Sequence, residues 1–342
     1  MMTMMTNTTL QHKNRVGVCL TVADLGYAAT LSASVLVGLD EGRGHVVECT
    51  DTLLVPFSFG AWHLPGHTAR GTTHGRIGDA HMTFTVSDDE SDNGTTTRVR
   101  TLDVEWPRFG AKASAAYAAR VGCGLRAHLT LRERVGDDTI VVATPFGTGD
   151  HLWYLNQKIN CQPAAGTATL GRHTHTFVPE HAVATLDWGR GLWPYASSWV
   201  WASASGTARC LSHNNNGNEE QKEQQKTVRF GLNFGHGFGN CATHTENCVF
   251  VDGRLSKLGR MAITFDRAHF DTAAWHFADE EGRVDMTMEP LYDRYAPTDV
   301  GVVAMVAHQV FGRYTGTVRT DTGATIAVTN VLGWAEFVAN RW

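Results

Sequence analysis

The fold class this sequence predicts is all-β, a barrel or sandwich of antiparallel strands with few and short helices. Three observations predict it. Apolar residues recur with period two along much of the chain. Glycine is frequent at 35, while charged residues make up only 18% of the 342, a balance that suits strands and tight turns better than long surface helices. Period-3.6 patterns are scarce, so the helices that a doubly wound α/β fold places between its strands are missing.

The elements follow in order. Residues 1–14, rich in Met and Thr and without an apolar stretch, read as a disordered tail rather than a signal peptide. Strands are expected at residues 16–22, 81–86 and 97–104. The alanine-rich stretch 111–121 is the best helix candidate. Next, Leu125, Ala127, Leu129 and Leu131 alternate with Arg126, His128, Thr130 and Arg132, which puts one apolar face against a core. Further strands are expected at 139–143, 228–234, 261–265, 284–288, 302–310 and 324–329. Turn signals such as Asp92-Asn93-Gly94, Asp252-Gly253 and Glu281-Gly282 separate them. Two polar stretches, 87–97 and 212–226, read as surface loops, the second as an insertion between strands. The length suggests two domains, placed at residues 15–185 and 186–342.

Composition excludes some partners. Net charge is −5, with no run of Lys or Arg, so the electrostatic footprint of a nucleic-acid binder is absent. No stretch of 18 apolar residues is present to span a membrane. Seven cysteines with no Cys-x-x-Cys read as reduced thiols, which points to the cytoplasm. His173-x-His175 and the other histidines lack zinc-type spacing, so no metal and no cofactor are expected. Gly235-His236-Gly237-Phe238-Gly239-Asn240 resembles a phosphate loop but opens no helix, and reads as a wide turn.

Chemistry concentrates in a few places. Trp188, Trp193, Trp199, Trp201 and Tyr195 crowd into fifteen residues beside Asp187 and Arg190. In an extended chain Asp187, Gly189, Gly191 and Trp193 share one side, while Trp188 and Arg190 share the other. Such rings line an apolar pocket, and a carboxylate within it carries a perturbed pKa. The alternative is structural, with tryptophans closing a barrel end and Asp187 paired to Arg190. Glu289 is read as ending the strand 284–288 on its polar face, opposite the methionines, where it is a candidate acid or base or simply an exposed glutamate. Glu246 stands beside Asn247 as a further carboxylate. His308, followed by Gln309 in an apolar run, is a proton-transfer candidate or a hydrogen-bonded core residue.

These motifs together resemble a family catalogued as domain of unknown function 2804. The resemblance rests on Trp153-Tyr154-Leu155-Asn156-Gln157-Lys158 and on Asp187-Trp188-Gly189-Arg190-Gly191-Leu192-Trp193-Pro194-Tyr195. It continues through Gly231-Leu232-Asn233-Phe234-Gly235, Thr245-Glu246-Asn247, Phe250-Val251-Asp252-Gly253-Arg254 and Glu289-Pro290. It ends with His308-Gln309-Val310-Phe311-Gly312 and Gly333-Trp334-Ala335-Glu336. The family is distantly similar to proteins with paired lipocalin-like barrels, among them carotenoid hydratases, tocopherol cyclases and fungal Diels–Alderases. The resemblance implies two lipocalin-like antiparallel barrels packed side by side, with a hydrophobic ligand between or within them. It implies no reaction, because function lives in sites rather than folds.

Two functions stay open. One is a binding protein for a lipid, isoprenoid or other apolar small molecule. Its ligand-binding candidates are Trp153, Asn156, Lys158, Trp188, Arg190, Trp193, Tyr195, Asn233 and Gln309. The other is a cofactor-free isomerase, hydratase or cyclase, with Asp187, Glu246, Glu289 and His308 as catalytic candidates. Convergence of those four groups on one cavity favours catalysis, and their separation favours binding.

Overall fold

The computed structural model describes residues 16–341 apart from 25–27, 40, 43, 59–61, 63, 65–66, 93–94, 148–150, 212–225, 243 and 300–303. The expected tail and most of the polar insertion lie outside the described residues. Among the described residues the chain opens with β1 (Val16–Asp24), β2 (Ala28–Val37), β3 (Val47–Pro56), β4 (Gly71–Ile77), β5 (Ala80–Asp92) and β6 (Thr95–Trp106). A single helix, α1 (Ala115–Arg120), precedes β7 (Leu125–Arg134), β8 (Ile140–Pro145), β9 (Trp153–Leu170), β10 (His173–Phe177) and β11 (Val183–Leu192). Then come β12 (Ala196–Leu211), β13 (Lys226–His236), β14 (Cys248–Val251), β15 (Arg254–Lys257) and β16 (Met261–Thr264). The chain closes with β17 (Trp275–Asp279), β18 (Val284–Asp299), β19 (Ala304–Arg319) and β20 (Thr325–Arg341). The fold is all-β and barrel-like.

Three sheets form. The first is β1-β2-β3. The second runs β10-β9-β7-β6-β5-β4, with β8 and β11 also paired to β9. The third has nine strands in the order β15-β14-β13-β12-β20-β19-β18-β17-β16. Two compact units divide the chain: Met1–Asp137 with Gln162–Arg190, and Asp138–Cys161 with Gly191–Trp342.

Within the first unit, the alternation of β7 appears as expected. Leu125, Ala127, Leu129 and Leu131 are buried, and Arg126, His128 and Arg132 are exposed. Period two carries across the register to Leu102, Val104 and Trp106 of β6 and to Met82, Phe84 and Val86 of β5, all buried. In the second unit, one face of β12, β13, β18, β19 and β20 presents Ala202, Ala204, Phe230, Leu232, Phe234, Met288, Val310, Tyr314 and Ala335 to an apolar core. Trp275 fills its middle, stacked on Phe265 at 4.1 Å with its indole N–H donated to the Phe270 carbonyl.

Three expectations are corrected. Residues 87–97 do not form a loop: β5 runs to Asp92 and β6 starts at Thr95. The polar hairpin is held by ions instead of a core, with Asp88 paired to Arg98 and Arg70 and Asp89 to Arg132. The expected helix over 111–121 shrinks to α1, because Ser114 caps it by accepting from the Tyr117 N–H and the preceding residues form turns. Glu289 does not end a strand. β18 continues to Asp299 through a register shift between Pro290 and Tyr292. Proline has no N–H for the ladder, so a bulge is the form in which a long strand accommodates it.

Candidate functional site

The second unit buries a second face of the same sheet, and this face is polar. Side chains alternate across a strand. While Val200, Ala202 and Ala204 of β12 face the apolar core, Trp199, Trp201, Ser203 and Ser205 face the other way. On β13 the same parity selects Gly231, Asn233 and Gly235, with Ser203 opposite Asn233 and Trp201 opposite Gly235. On β20 it selects Trp334 and Glu336, opposite Ser203 and Trp201, and on β19 Gln309, opposite Glu336. The first half of β9 adds Asn156, Lys158 and Asn160 at every second position. Asn156, Lys158, Ser203, Asn233 and Gln309 are each less than 5% exposed.

Contacts tie these residues into one network. Lys158 Nζ lies 3.6 Å from Glu246 Oε2 and 3.8 Å from the centre of the Trp201 ring. Asn156 Nδ2 donates to Glu246 at 3.0 Å. Trp201 Nε1 donates to Asn233 Oδ1 at 2.8 Å, and Asn233 Nδ2 donates to the Glu246 carbonyl at 3.0 Å. Asn160 Nδ2 donates to Ser203 Oγ and the Leu232 carbonyl. A buried ammonium is tolerated only with such partners: a carboxylate for its charge and an aromatic face for its exposed side.

The sequence Gly-x-Asn-x-Gly of β13 now has a physical reason. A Cβ at Gly235 would stand 2.5 Å from Glu246 Oε1, and one at Gly231 2.5 Å from Cys161 Sγ. Both glycines leave room for β9 and Glu246 to lie close over the sheet, with Asn233 between them bonded to Glu246 and Trp201. The loop after β13 is held by Asn247, whose Oδ1 accepts from the Gly235 N–H at 2.6 Å and whose Nδ2 donates to the Gly259 carbonyl.

A half-buried aromatic group adjoins this polar floor. Phe238 makes ring contacts with Phe146, Tyr154, Trp193 and Trp199 at 4.8–5.6 Å. Trp199 Nε1 in turn donates to Glu336 Oε1 at 3.2 Å, Gln309 Nε2 reaches Glu336 Oε2 at 3.4 Å, and Arg294 donates to Gln309 Oε1 at 3.0 Å. Deeper on the face, Trp334 meets Trp201 edge-on at 5.4 Å. Three buried polar atoms here have no hydrogen-bond partner among the described residues: Asn156 Oδ1, Asn160 Oδ1 and Trp334 Nε1.

Of the residues expected from sequence, the structure brings Asn156, Lys158, Asn233 and Glu246 into direct contact. Trp193 and Gln309 join the same face through the rings and through Glu336. The others fall elsewhere. Trp153, Tyr195, Arg190 and Glu289 are exposed. Asp187 and Trp188 are buried within the first unit, and Asp187 and Arg190 fall on opposite faces of β11. His308 neighbours Gln309 in sequence and so points to the apolar side of the sheet. It stacks on Phe270 at 3.9 Å and on Tyr295 at 4.5 Å, and its Nδ1 lies 2.7 Å from Asp293 Oδ2. The three acid–base candidates of the second unit, Glu246, Glu289 and His308, therefore do not share one face. Asn160, Ser203 and Phe238 were missed, and Trp201, Trp334 and Glu336 stood in the aromatic cluster or the motifs without being named as ligand-binding candidates. The signal for Asn160, Trp201 and Ser203 was the alternation of Asn156, Lys158 and Asn160, and of Trp199, Trp201 and Ser203. Among the described residues no group of three or more His, Cys, Asp or Glu is arranged to hold a metal ion, and no helix is long and apolar enough to cross a membrane.

No curated protein matches the chain. Among solved structures it is similar to a Nitrosomonas europaea protein assigned as AttH, at 12% identity and a TM-score of 0.49 over 98% of this chain and 90% of the other. It is similar to kievitone hydratase from Nectria haematococca at the same identity and TM-score, over 98% of this chain and 87% of that one. The model of the family described as domain of unknown function (DUF2804) matches residues 8–342, and the chain belongs to that family.

Proposed function

We propose that the chain binds an apolar small molecule with a polar head group, a lipid or isoprenoid, against the polar face of the nine-stranded sheet. The observation that carries this reading is the trio of unpartnered atoms, Asn156 Oδ1, Asn160 Oδ1 and Trp334 Nε1, around Trp201 and Lys158. Buried polar groups are nearly always hydrogen-bonded, and each one left unpaired costs about 1–3 kcal/mol. A ligand head group with both donor and acceptor atoms removes that cost. The rings of Phe146, Tyr154, Trp193, Trp199 and Phe238 offer its apolar body a half-buried aromatic wall. Within the second unit, Glu289 is exposed and His308 lies on the apolar side of the sheet, away from Glu246, which supports binding over acid–base catalysis. Four of the seven cysteines are buried, which fits thiols kept in a reducing compartment, the cytoplasm.

The test is extraction of the purified protein with organic solvent, mass spectrometry of the extract, and titration with an apolar fluorescent dye. A retained amphiphile, or saturable dye binding lost in Trp201→Ala, is the expected result. Neither retention nor saturable uptake overturns the reading.

A further inference from the structure

Glu246 is the carboxylate that meets Lys158 on the polar face, yet it sits on no strand. It belongs to the stretch between β13 and β14, and that stretch has to be held in place by other residues. Asn247 supplies one anchor. Lys257, the last residue of β15 and the register partner of Cys248, supplies a second. Lys257 is exposed at the surface, where a lysine ordinarily keeps its ammonium in water. Here the ammonium turns back onto the chain. It donates to Thr245 Oγ1 at 2.6 Å, to the Asn247 carbonyl at 3.1 Å and to the Leu258 carbonyl at 2.7 Å, one acceptor for each of its three protons. Thr245 and Asn247 are the residues on either side of Glu246.

The base of this clamp is fixed as well. The Lys257 N–H donates to Asp321 Oδ2 at 3.1 Å, its carbonyl accepts from Arg283, and Arg283 Nη1 donates to Asp321 Oδ1 at 2.6 Å. On the side of the loop, the Leu258 N–H donates to the Asn247 carbonyl at 2.9 Å. Ordering so long a side chain costs rotamer freedom, and its three neutral acceptors return no ion-pair energy. What the arrangement secures is the place of Glu246. That place has little slack, because Glu246 Oε1 would lie 2.5 Å from a Cβ at Gly235. A loop that drifted away would leave Lys158 over the Trp201 ring without its carboxylate, an unpaired buried charge.

We propose that Lys257 is a positioning residue for the polar face: by clamping both neighbours of Glu246 it keeps that carboxylate against Lys158, so that the face takes an uncharged head group in preference to an acid. An acidic head group beside Lys158 would meet the like charge of Glu246 already in place. The selection of head group rests on the ligand reading given above, whereas the positioning of Glu246 does not.

The test uses the full chain labelled with ¹³C at the lysine side chains. The ε-methylene signal of Lys158, identified by its absence in Lys158→Met, reports its seat over the Trp201 ring. Lys257→Met is expected to move that signal, while Met286→Ala, which destabilises the apolar core of the same unit, leaves it in place. Should Lys257→Met not fold, Thr245→Val removes one of the three acceptors and should move the signal less, in the same direction. By calorimetry the wild type is expected to prefer decanol to decanoate by about tenfold or more, and Lys257→Met to lose most of that preference. A Lys158 signal that stays put in Lys257→Met, or moves as far in Met286→Ala, overturns the positioning role. A wild type that binds both probes alike overturns the selection. One that binds neither overturns the ligand reading, and the Lys158 signal then decides the positioning role alone.

Discussion

The nine-stranded sheet of the second unit buries two faces by different physics. On one face, Phe230, Phe234, Trp275, Met288 and Tyr314 pack as an apolar core, where each contact is nondirectional and interchangeable with others of similar volume. On the other, Lys158, Glu246, Asn233, Trp201 and Glu336 are buried by matching donors to acceptors. The first face is stabilised by removing surface from water. The second is costly unless every group is paired, and among the described residues it is not fully paired. On the proposed function, the polar face is the one that receives a ligand, whose head group supplies the partners its unpaired atoms lack.

Substitutions can break or sharpen this comparison. The largest effect belongs to the apolar face. Trp275→Ala removes a fully buried indole and is expected to lower stability by about 3–5 kcal/mol, measured by urea unfolding, with the polar face unaffected in its dye binding until the protein unfolds. Lys158→Met leaves the Glu246 carboxylate without its cation and is expected to cost about 3 kcal/mol. The double variant Lys158→Met/Glu246→Gln should recover most of that loss, and a single variant as stable as wild type would show that the pair is solvated. Next, Gly235→Ala pushes a Cβ against Glu246 and is expected to cost about 1–3 kcal/mol, with a larger relative loss in ligand binding than in stability. A smaller effect on the fold is expected from Trp334→Phe, about 1 kcal/mol or less, accompanied by weaker dye binding because the Nε1 donor is gone.

A last prediction concerns the first unit. Burial, followed by the charges of Asp51 and Glu48, pushes the Cys49 thiol up to about 12 from its ordinary 9.0. The folded state then holds a proton that the unfolded state releases from pH 9 upward. Stability contributed by this thiol is complete below pH 9 and is lost as pH rises toward 12. Alkylation with iodoacetamide at pH 8 should mark the exposed Cys123 well before Cys49, as peptide mass spectrometry would show.

Much of the fold was legible because period two is a local signal. β1, β5, β6, β7, β13 and β18 all include the residues where alternation placed them, and β16 and β20 do so to within one end residue. The strands that were missed, such as β9 and β12, are buried on both faces in part, and a strand buried on both sides shows no alternation of polarity. The polar hairpin at 87–97 was missed for the opposite reason: cross-strand ion pairs hold it, and composition alone reads such residues as loop. The site was legible in parts. Asn156, Lys158, Asn233 and Glu246 came from motifs in three separate segments, but nothing in the sequence says that residues 90 positions apart, as Asn156 and Glu246 are, meet. His308 and Gln309 show the limit most clearly. They are adjacent in sequence and lie on opposite faces of one strand, so a motif that names both cannot tell which belongs to the site.

The most direct test of the polar face is photolabelling with a long-chain alkyl alcohol carrying a diazirine, mapped by peptide mass spectrometry. The expected result is labelling of peptides from β12, β13 and β20 that hold Trp201, Asn233 and Trp334, competed away by excess unlabelled alcohol. Labelling confined to peptides elsewhere in the chain, or labelling that the unlabelled alcohol does not compete, would contradict it.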